Sequence, residues 1–275
     1  MTLSMTPVCP DDLAGLEPIP EGFRCNRCRR LFTSRDGVVE LLPFESFEGS
    51  TTESNQLQRY AASLSQRRDR FPYQLLRRLI ATVGNGFLYS WVARTIESSE
   101  PRHSLSILDA ACGDGIVSRY LSKRHDYVGI DFSSRLLHRA RRYNHVACYR
   151  ADLAHIPFSN HCFDVVVSLQ ALQYMEHPRS AVWQMARVLK PGGKLLLSLP
   201  NDLCLKYRRQ GIPQIQRQRF NRETVQALLT PDFQIVDLRT QGFWLRLPKI
   251  SVHLPAVYGD GSGLAWTVLA TPRRN

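Results

Sequence analysis

The sequence contains no apolar run that approaches the roughly 20 residues of a membrane-spanning helix. Residues 1–10 also lack the charged and apolar regions of a secretory signal peptide. Together these absences predict a cytoplasmic protein without a transmembrane segment. In that compartment the seven cysteines are expected to be thiols or metal ligands rather than disulfides. The 275 residues, 43% of them hydrophobic, suffice for one sizeable core and a small appended unit.

Acidic residues are nearly absent from three arginine-rich segments of this chain, whose net charge is +12. The segments, with seven, five and six basic residues and two acids in all, are 56–98, 133–150 and 203–222. A basic surface of this kind favours an anionic partner, and RNA is one candidate. Solvated helix faces give the same composition, because the spacing of Arg135, Arg139 and Arg142 places them on one outward face.

A glycine-containing turn follows an apolar stretch that ends in an acid, Asp109. The residues are Ile-Leu-Asp-Ala-Ala-Cys-Gly-Asp-Gly at 107–115, and a helical pattern follows at Ile116, Tyr120 and Leu121. Such a strand, turn and helix are typical of a nucleotide-binding first turn, where glycine lets the backbone approach the ligand. The third glycine of Gly-x-Gly-x-x-Gly is missing, and Asp109 would repel a pyrophosphate. The turn therefore predicts a cationic nucleoside rather than NAD.

The Asp-x-x-Cys-Gly-x-Gly spacing resembles the first motif of class I S-adenosylmethionine-dependent methyltransferases. Four further segments resemble later motifs of that family in the expected order, at 127–131, 151–153, 163–168 and 186–194. The resemblance covers residues 104–273. It implies an α/β fold with a doubly wound, seven-stranded, mostly parallel sheet, and methyl transfer from S-adenosylmethionine by in-line displacement.

The sequence predicts three regions: a leader at 1–45, a helical cap at 56–98 and the methyltransferase domain at 104–273. Cap helices are expected over the apolar stripes at 57–64 and 75–83, and around 87–97. Strands of the domain are expected near 105–110, 127–131, 146–151, 163–169, 194–199, 234–238 and 265–270, the last of them antiparallel. Two insertions, 201–220 and 243–262, should lie as lids near the carboxyl ends of the strands, where open α/β sheets bind ligands.

The resemblance also implies which residues contact the cofactor. Asp131, 22 residues after Asp109, would accept hydrogen bonds from both ribose hydroxyls, and Asp152 would meet the adenine amino group. Tyr60 is a candidate contact to the methionine end, although a core tyrosine explains it equally well. The remaining candidate cofactor residues are Asp109, Cys112, Gly113, Gly115, Phe132, Leu153, Leu169 and Gln170.

The expected wall of the acceptor pocket is the segment 169–178. Tyr174 stands where the family often has a histidine, and His177 stands where it often has an aspartate before proline; both are candidate catalytic residues. Ordering the start of the next helix is an equally good role for His177. The other candidate proton acceptors, His155, His253 and Tyr258, lie on predicted loops, where each is more often structural. A general base is required only if the methyl acceptor carries a proton at neutral pH.

The cysteine-containing leader resembles the small zinc-ribbon-like leader of some bacterial methyltransferases. Its candidate ligands are Cys9, Cys25, Cys28 and Asp12, which stands where that pattern has a second cysteine. Three thiolates and a carboxylate can complete a tetrahedral zinc site, and a metal would help so short a leader to fold. The alternative is a decayed ribbon that is held by its own apolar cluster.

Three functions remain open at this point. The first is a methyltransferase for a small organic acceptor, such as a secondary metabolite or a quinone, because 168–178 resembles that group and an aromatic stretch at 242–248 could enclose an apolar ring. The second is an rRNA base methyltransferase that uses the basic surface and the leader, although the sequence has no Asn-Pro-Pro-Tyr signature. The third is a non-catalytic cofactor-binding protein, which the intact acidic and glycine positions disfavour.

Overall fold

The computed structural model describes residues 5–44, 86–99, 103–144, 146–204, 207–208, 211, 216–247, 250–258 and 263–273. The cap helices predicted over 57–64 and 75–83, and with them Tyr60, lie outside these ranges. Within the described ranges, no helix is both long enough and apolar enough to cross a bilayer.

The regular elements of the described residues are strands, helices and a few short 3₁₀ turns. The strands are β1 (Leu16–Ile19), β2 (Gly22–Cys25), β3 (Leu31–Arg35), β4 (Val38–Leu41), β5 (Ser106–Ala110), β6 (Asp126–Asp131), β7 (Ala147–Ala151), β8 (Phe163–Leu169), β9 (Leu189–Pro200), β10 (Phe233–Leu247), β11 (Ile250–Tyr258) and β12 (Ala265–Pro272). The helices are α1 (Gly86–Ser99), α2 (Ser134–Asn144), α3 (Pro178–Val188) and α4 (Arg222–Leu229).

All of these strands belong to one sheet, in the order β1-β2-β3-β4-β7-β6-β5-β8-β9-β12-β10-β11. The run from β4 to β9 is parallel, and β12, β10 and β11 add to it antiparallel. The seven strands predicted from the sequence are neighbours in this sheet, in the order β7-β6-β5-β8-β9-β12-β10. The last of them along the chain, β12, is antiparallel to its neighbours, as expected. The leader and β11 extend the sheet beyond those seven.

The central strands form because their side chains are apolar on both faces. In β8, Val165, Val166 and Val167 are all buried, as expected for a parallel strand that is covered from both sides. On one face, Val92 and Ile96 of α1 pack in the same cluster as Val165. On the other face α3 and α4 pack against the sheet. Helices on both faces confirm the predicted doubly wound α/β fold.

The helix expected directly after β5 is shorter than predicted. The pattern at Ile116, Tyr120 and Leu121 predicted a helix, whereas the structure has a single 3₁₀ turn at Ile116–Arg119. Its two apolar residues, Ile116 and Val117, are buried all the same. The turn ends at Arg119, so Tyr120 and Leu121 follow it and do not extend a helix, as is usual for 3₁₀ turns, which serve as short connectors.

The leader continues the sheet that residues 106–272 form. Strand β4 pairs in parallel with β7, with Glu40 opposite Arg150 and Leu41 opposite Ala151. Leader side chains, among them Phe32 and Leu41, share one apolar cluster with the core of the domain. The leader therefore covers what would otherwise be an exposed sheet edge, which proteins usually protect.

Gly129, in the middle of β6, has a packing role that the sequence motifs did not reveal. It lies opposite Asp109 of β5. A Cβ atom at this position would lie 2.6 Å from Cys112 Sγ and 2.9 Å from Cys112 Cβ. Only glycine therefore leaves room for Cys112 of the neighbouring turn to pack on β6.

We predict that Gly129→Ala lowers the free energy of unfolding by about 1–3 kcal/mol, because the added methyl group overpacks a buried contact. Urea denaturation measures the change. Gly15→Ala is the matched control, since its Cβ would meet Asn26 Nδ2 at an ordinary 3.4 Å. The explanation is wrong if Gly129→Ala unfolds at the same urea concentration as the wild type.

Candidate functional site

Two acids lie near the carboxyl ends of β5 and β6, on the same face of the sheet, because Asp109 is opposite Gly129, two residues before Asp131. Asp109 is only 1% exposed, and the Tyr127 hydroxyl donates a hydrogen bond to its Oδ2. Burial raises the pKa of Asp109 to about 7; the hydrogen bond from Tyr127 opposes this rise, and the negative charge of Asp131 adds to it. A ligand cation at this place would favour the ionised carboxylate.

Asp131 is held in a fixed orientation by two backbone donors. The Gly113 N–H donates to Oδ2 over 2.9 Å, and the Ser133 N–H donates to Oδ1 over 2.8 Å. Burial raises the pKa of Asp131, although these hydrogen bonds act in the opposite direction. The carboxylate thus joins the glycine turn after β5 to the turn after β6, and each oxygen keeps a lone pair for a ligand hydroxyl.

The glycine turn is built from left-handed residues. Gly113 and Gly115 have φ values of 56° and 71°, and Ala111 adopts 75° although it carries a Cβ. The N–H groups of Ala111 and Cys112 both donate to the Ile130 carbonyl over 2.9 Å, which holds the turn against β6. A strained alanine at a strand end is typical of functional turns. Burial raises the pKa of the Cys112 thiol, so this side chain stays neutral beside the two acids.

The other predicted cofactor residues lie at the ends of β6, β7 and β8. Asp152 accepts a hydrogen bond from the Ala154 N–H over 2.9 Å and caps the 3₁₀ turn Leu153–His155. Gln170 has a φ of 55°, and its side-chain amide donates to Ser198 Oγ over 2.8 Å. Like these two residues, Phe132, Leu153 and Leu169 are half-buried. The structure therefore brings the described cofactor candidates together at the carboxyl ends of the parallel strands. That they bind the cofactor stays a prediction.

The two predicted catalytic residues occupy different settings. Tyr174 is half-buried in the 3₁₀ turn Leu172–Tyr174. His177 is exposed and directly precedes α3, where its carbonyl accepts hydrogen bonds from the backbone and hydroxyl of Ser180. This geometry fits the helix-ordering role for His177, with Pro178 at the first helical position.

Of the three remaining candidate proton acceptors, which were all predicted on loops, two lie in a strand and one lies in a turn. His253 and Tyr258 were expected on loops, but both belong to β11, because the chain after β10 returns as an antiparallel strand. His155 does lie in a turn, at Leu153–His155, and its Nδ1 is buried without a hydrogen-bond partner among the described residues.

A later segment is fastened to the predicted pocket wall through two glutamines that the sequence analysis missed. The Gln173 carbonyl accepts hydrogen bonds from the backbone of Arg217 (2.8 Å) and Gln218 (3.2 Å). The Gln218 side-chain amide donates to the carbonyls of Met175 and Glu176 over 3.1 and 2.8 Å. The end of the predicted lid 201–220 therefore packs on the predicted wall; that this segment acts as a lid stays a prediction. No motif marks these glutamines, since their contacts are to backbone atoms.

The four predicted metal ligands come together in the leader. Each of Cys9, Asp12, Cys25 and Cys28 offers one ligand atom, and these atoms lie within 4.8 Å of one another. The Cys9 and Cys28 sulfurs are 3.8 Å apart, and the Cys25 sulfur is 3.6 Å from both Asp12 oxygens. A tetrahedral site with Zn–S bonds of about 2.3 Å has ligand atoms about 3.8 Å apart, so the spacing fits zinc.

The hydrogen bonds of the cluster favour a thiolate at Cys25. Burial opposes ionisation of this thiol, but the N–H groups of Arg27 and Cys28 both donate to its sulfur over 3.4 Å, and the net effect lowers its pKa. Burial raises the pKa of Cys9. The pKa of Asp12 is lowered, chiefly by the Ala14 N–H that donates to Oδ1 over 2.9 Å. The donor set of three sulfurs and one carboxylate suits zinc.

Comparisons with known proteins agree with this fold. Residues 108–197 match the family model described as a methyltransferase domain. The malonyl-[acyl-carrier protein] O-methyltransferase of Erwinia pyrifoliae is 34% identical over 115 residues, which are 41% of this chain and 44% of that protein. The ubiquinone/menaquinone biosynthesis C-methyltransferase UbiE of Stutzerimonas stutzeri is 33% identical over 136 residues, which are 46% of this chain and 52% of that protein. The chain thus spans about half the length of these relatives.

A solved structure extends the match over more of the chain. The N-methyltransferase NodS of Bradyrhizobium japonicum, in complex with S-adenosyl-L-homocysteine, superposes with a TM-score of 0.52 at 20% identity. The match covers 81% of this chain and 99% of NodS. At this identity the likeness shows the fold alone. The matched family model shows a methyltransferase domain over residues 108–197, and NodS shows that this domain has the fold of a solved methyltransferase.

Proposed function

We propose that the protein transfers a methyl group from S-adenosylmethionine to a small organic acceptor. The observation that carries this proposal is the pair Asp109 and Asp131 at the ends of neighbouring parallel strands, joined by a glycine turn whose Gly113 N–H holds Asp131. One acid suits the cationic end of the donor, and the other suits its ribose. Nucleotides that carry pyrophosphate fit this arrangement poorly, because the Asp109 carboxylate beside the glycine turn would repel it.

The role of the protein in such a reaction is mainly to bind and align. S-adenosylmethionine supplies a methyl group on a sulfonium, which leaves as a neutral thioether. Asp131 would hold the ribose hydroxyls, and Asp152 the adenine. The wall formed by 169–178 and the attached 216–220 would exclude water and direct the acceptor towards the methyl group. Tyr174 would line this pocket and hydrogen-bond the acceptor, since a phenol is a weak base at neutral pH.

The names of the relatives support a small acceptor without selecting the methylated atom. One of the proteins compared above is named for O-methylation, one for C-methylation and one for N-methylation. None of the three is named for RNA, so an rRNA substrate has only the basic charge and the cysteine-containing leader in its favour. The presence of Asp109, Asp131, Gly113 and Gly115, with two backbone N–H groups donating to Asp131, supports catalysis over a non-catalytic function.

We also propose that the leader binds one zinc ion through Cys9, Asp12, Cys25 and Cys28. Spacing of the four ligand atoms supports this, as do the two N–H groups that stabilise a thiolate at Cys25. All four positions of a tetrahedral site would be filled by protein, which is typical of structural rather than catalytic zinc. Its role would be to hold the leader in the shape that pairs β4 with β7.

We predict that Asp131→Ala weakens binding of S-adenosylhomocysteine by at least tenfold, because hydrogen bonds to a charged acceptor are worth roughly 1.5–3 kcal/mol. Isothermal titration calorimetry measures the affinity. Asp126→Asn, at the exposed start of the same strand, should bind like the wild type. Equal affinity for Asp131→Ala would remove Asp131 from the cofactor site.

We predict that affinity for S-adenosylmethionine rises as the pH increases from about 6 to 8. The Asp109 carboxyl, with a pKa of about 7, must lose its proton to pair with a cation, so binding should release a proton. Calorimetry in buffers of different ionisation enthalpy detects that proton, and Asp109→Asn should abolish the pH dependence. Binding without proton release over this range would contradict the assignment.

The same pKa shift has a consequence for stability. The raised pKa means that the native protein keeps a proton on Asp109 that the unfolded chain releases. The contribution of this group to stability is therefore fully present below about pH 4 and is lost as the pH rises towards 7. Asp109→Asn should remove this slope from the unfolding free energy of the ligand-free protein, which urea denaturation at several pH values would show.

We predict that the purified protein retains one zinc ion per chain and that Cys28→Ser loses it, because one thiolate ligand is removed. Mass spectrometry of the dialysed protein measures the metal content. Asp12→Cys should bind zinc more tightly in a chelator competition, since thiolate is the softer ligand. Cys162→Ser, which changes a buried cysteine outside the cluster, is the control. A metal-free wild type, or full zinc in Cys28→Ser, would contradict the proposal.

A further inference from the structure

Arg150 connects the leader to the cofactor site. It lies on β7, and its guanidinium donates to Glu40 Oε1 of β4 over 2.8 Å. Its Nε donates to the Phe132 carbonyl over 3.0 Å, and the guanidinium carbon lies 5.3 Å from the centre of the Phe132 ring. The side chains of Arg150 and Glu40 are only 13% and 16% exposed. One partly buried arginine therefore holds both a leader carboxylate and the turn after β6.

That turn determines the direction of the Asp131 carboxylate. Phe132 stands between Asp131 and Ser133, whose N–H donates to Asp131 Oδ1 over 2.8 Å. The hydrogen bond to the Phe132 carbonyl thus fixes the middle of a three-residue turn, and the ends of that turn carry the carboxylate and its backbone donor. If this carbonyl were released, the Ser133 N–H could rotate away from Asp131.

The strand register places the three charged residues in one row. Glu40 pairs with Arg150 across β4 and β7, and Arg150 pairs with Asp131 across β7 and β6. Paired residues of neighbouring strands point to the same face of a sheet. A guanidinium presents its donors in a rigid plane, so a contact at one edge limits the direction of the others. Glu40 therefore restricts how Arg150 can approach Phe132.

We propose that Arg150 is a positioning residue for the cofactor site, and that Glu40 of the leader holds Arg150 in place. The leader would then contribute to cofactor affinity through Glu40 and Arg150. This inference rests on the proposed function, since it assumes that Asp131 binds the ribose. It assigns the leader a role besides metal binding and edge protection.

The test compares the affinity of variants for S-adenosylhomocysteine with their thermal unfolding midpoints. Arg150→Met should weaken binding about tenfold, because it removes a charged hydrogen bond that fixes the turn. Glu40→Gln should weaken binding by a smaller factor, about threefold, since Arg150 keeps its bond to Phe132. Asp36→Asn is the matched control. It removes a leader charge near His138 of α2, without contact to Phe132, at a left-handed position that asparagine tolerates.

A charge exchange separates positioning from simple stabilisation. In the double variant Glu40→Arg with Arg150→Glu, the ion pair between β4 and β7 can form again, but a carboxylate at 150 cannot donate to the Phe132 carbonyl. The unfolding midpoint should therefore recover towards that of the wild type while the affinity stays low. Recovery of both would show that the ion pair only stabilises the sheet, and would overturn the proposal.

A mutant cycle with Asp131 gives a second readout. If Arg150 acts through Asp131, Arg150→Met should change the affinity much less in the Asp131→Ala background than in the wild type. Equal factors in both backgrounds would overturn the proposal. If Arg150→Met does not fold, Arg150→Lys replaces it, because lysine keeps the charge but lacks the planar set of donors.

Two failures can be told apart. A wild-type protein that does not bind S-adenosylhomocysteine would contradict the proposed function itself. A wild-type protein that binds, with Arg150→Met and Glu40→Gln binding equally well, would leave the function intact and overturn only the role of Arg150.

Discussion

The parallel register of β5, β6 and β7 is the constraint on which the rest of this structure depends. Pairing of β5 with β6 sets Asp109 opposite Gly129, and pairing of β6 with β7 sets Asp131 opposite Arg150. Paired residues share a face of the sheet. The register therefore brings Asp109, Asp131, Arg150 and the space above Gly129 to one face, near the carboxyl ends of the parallel strands. If one of these strands slipped by one residue, its side chains would point to the opposite face, and the residues of the site would no longer lie together.

The same register explains why the leader is part of the fold. A parallel sheet that ended at β7 would expose an unpaired strand edge, and β4, a strand of the leader, covers that edge. The Glu40–Arg150 ion pair spans 110 residues of sequence, yet it lies one hydrogen bond away from the turn that holds Asp131. In the proposed role of Arg150, a small cysteine-containing unit would influence the cofactor site through the sheet. The proposed zinc ion would act on the same path, since it would fix the shape of the leader.

Much of the fold could be predicted from the sequence because its signals are local. Apolar runs marked β5, β6, β7, β8 and β9, and an acid followed by glycines marked the first turn. The features that could not be predicted from the sequence depend on contacts between distant segments. Tyr127 reaches Asp109 only because β5 and β6 are paired, Gly129 is required only because Cys112 packs on it, and no motif links Glu40 to Arg150. His253 and Tyr258 were assigned to a loop for a related reason, since the return of β11 along β10 is set by strand pairing.

Equilibrium binding of S-adenosylmethionine and NAD to the wild-type protein tests the central claim most directly. Calorimetry at neutral pH, under identical conditions for both ligands, separates the two nucleotide classes that a glycine turn after a parallel strand can serve. We predict one micromolar site per chain for S-adenosylmethionine and no binding of NAD, because the Asp109 carboxylate attracts a cation and repels a pyrophosphate. Binding of NAD in preference, or binding of neither ligand, would contradict it.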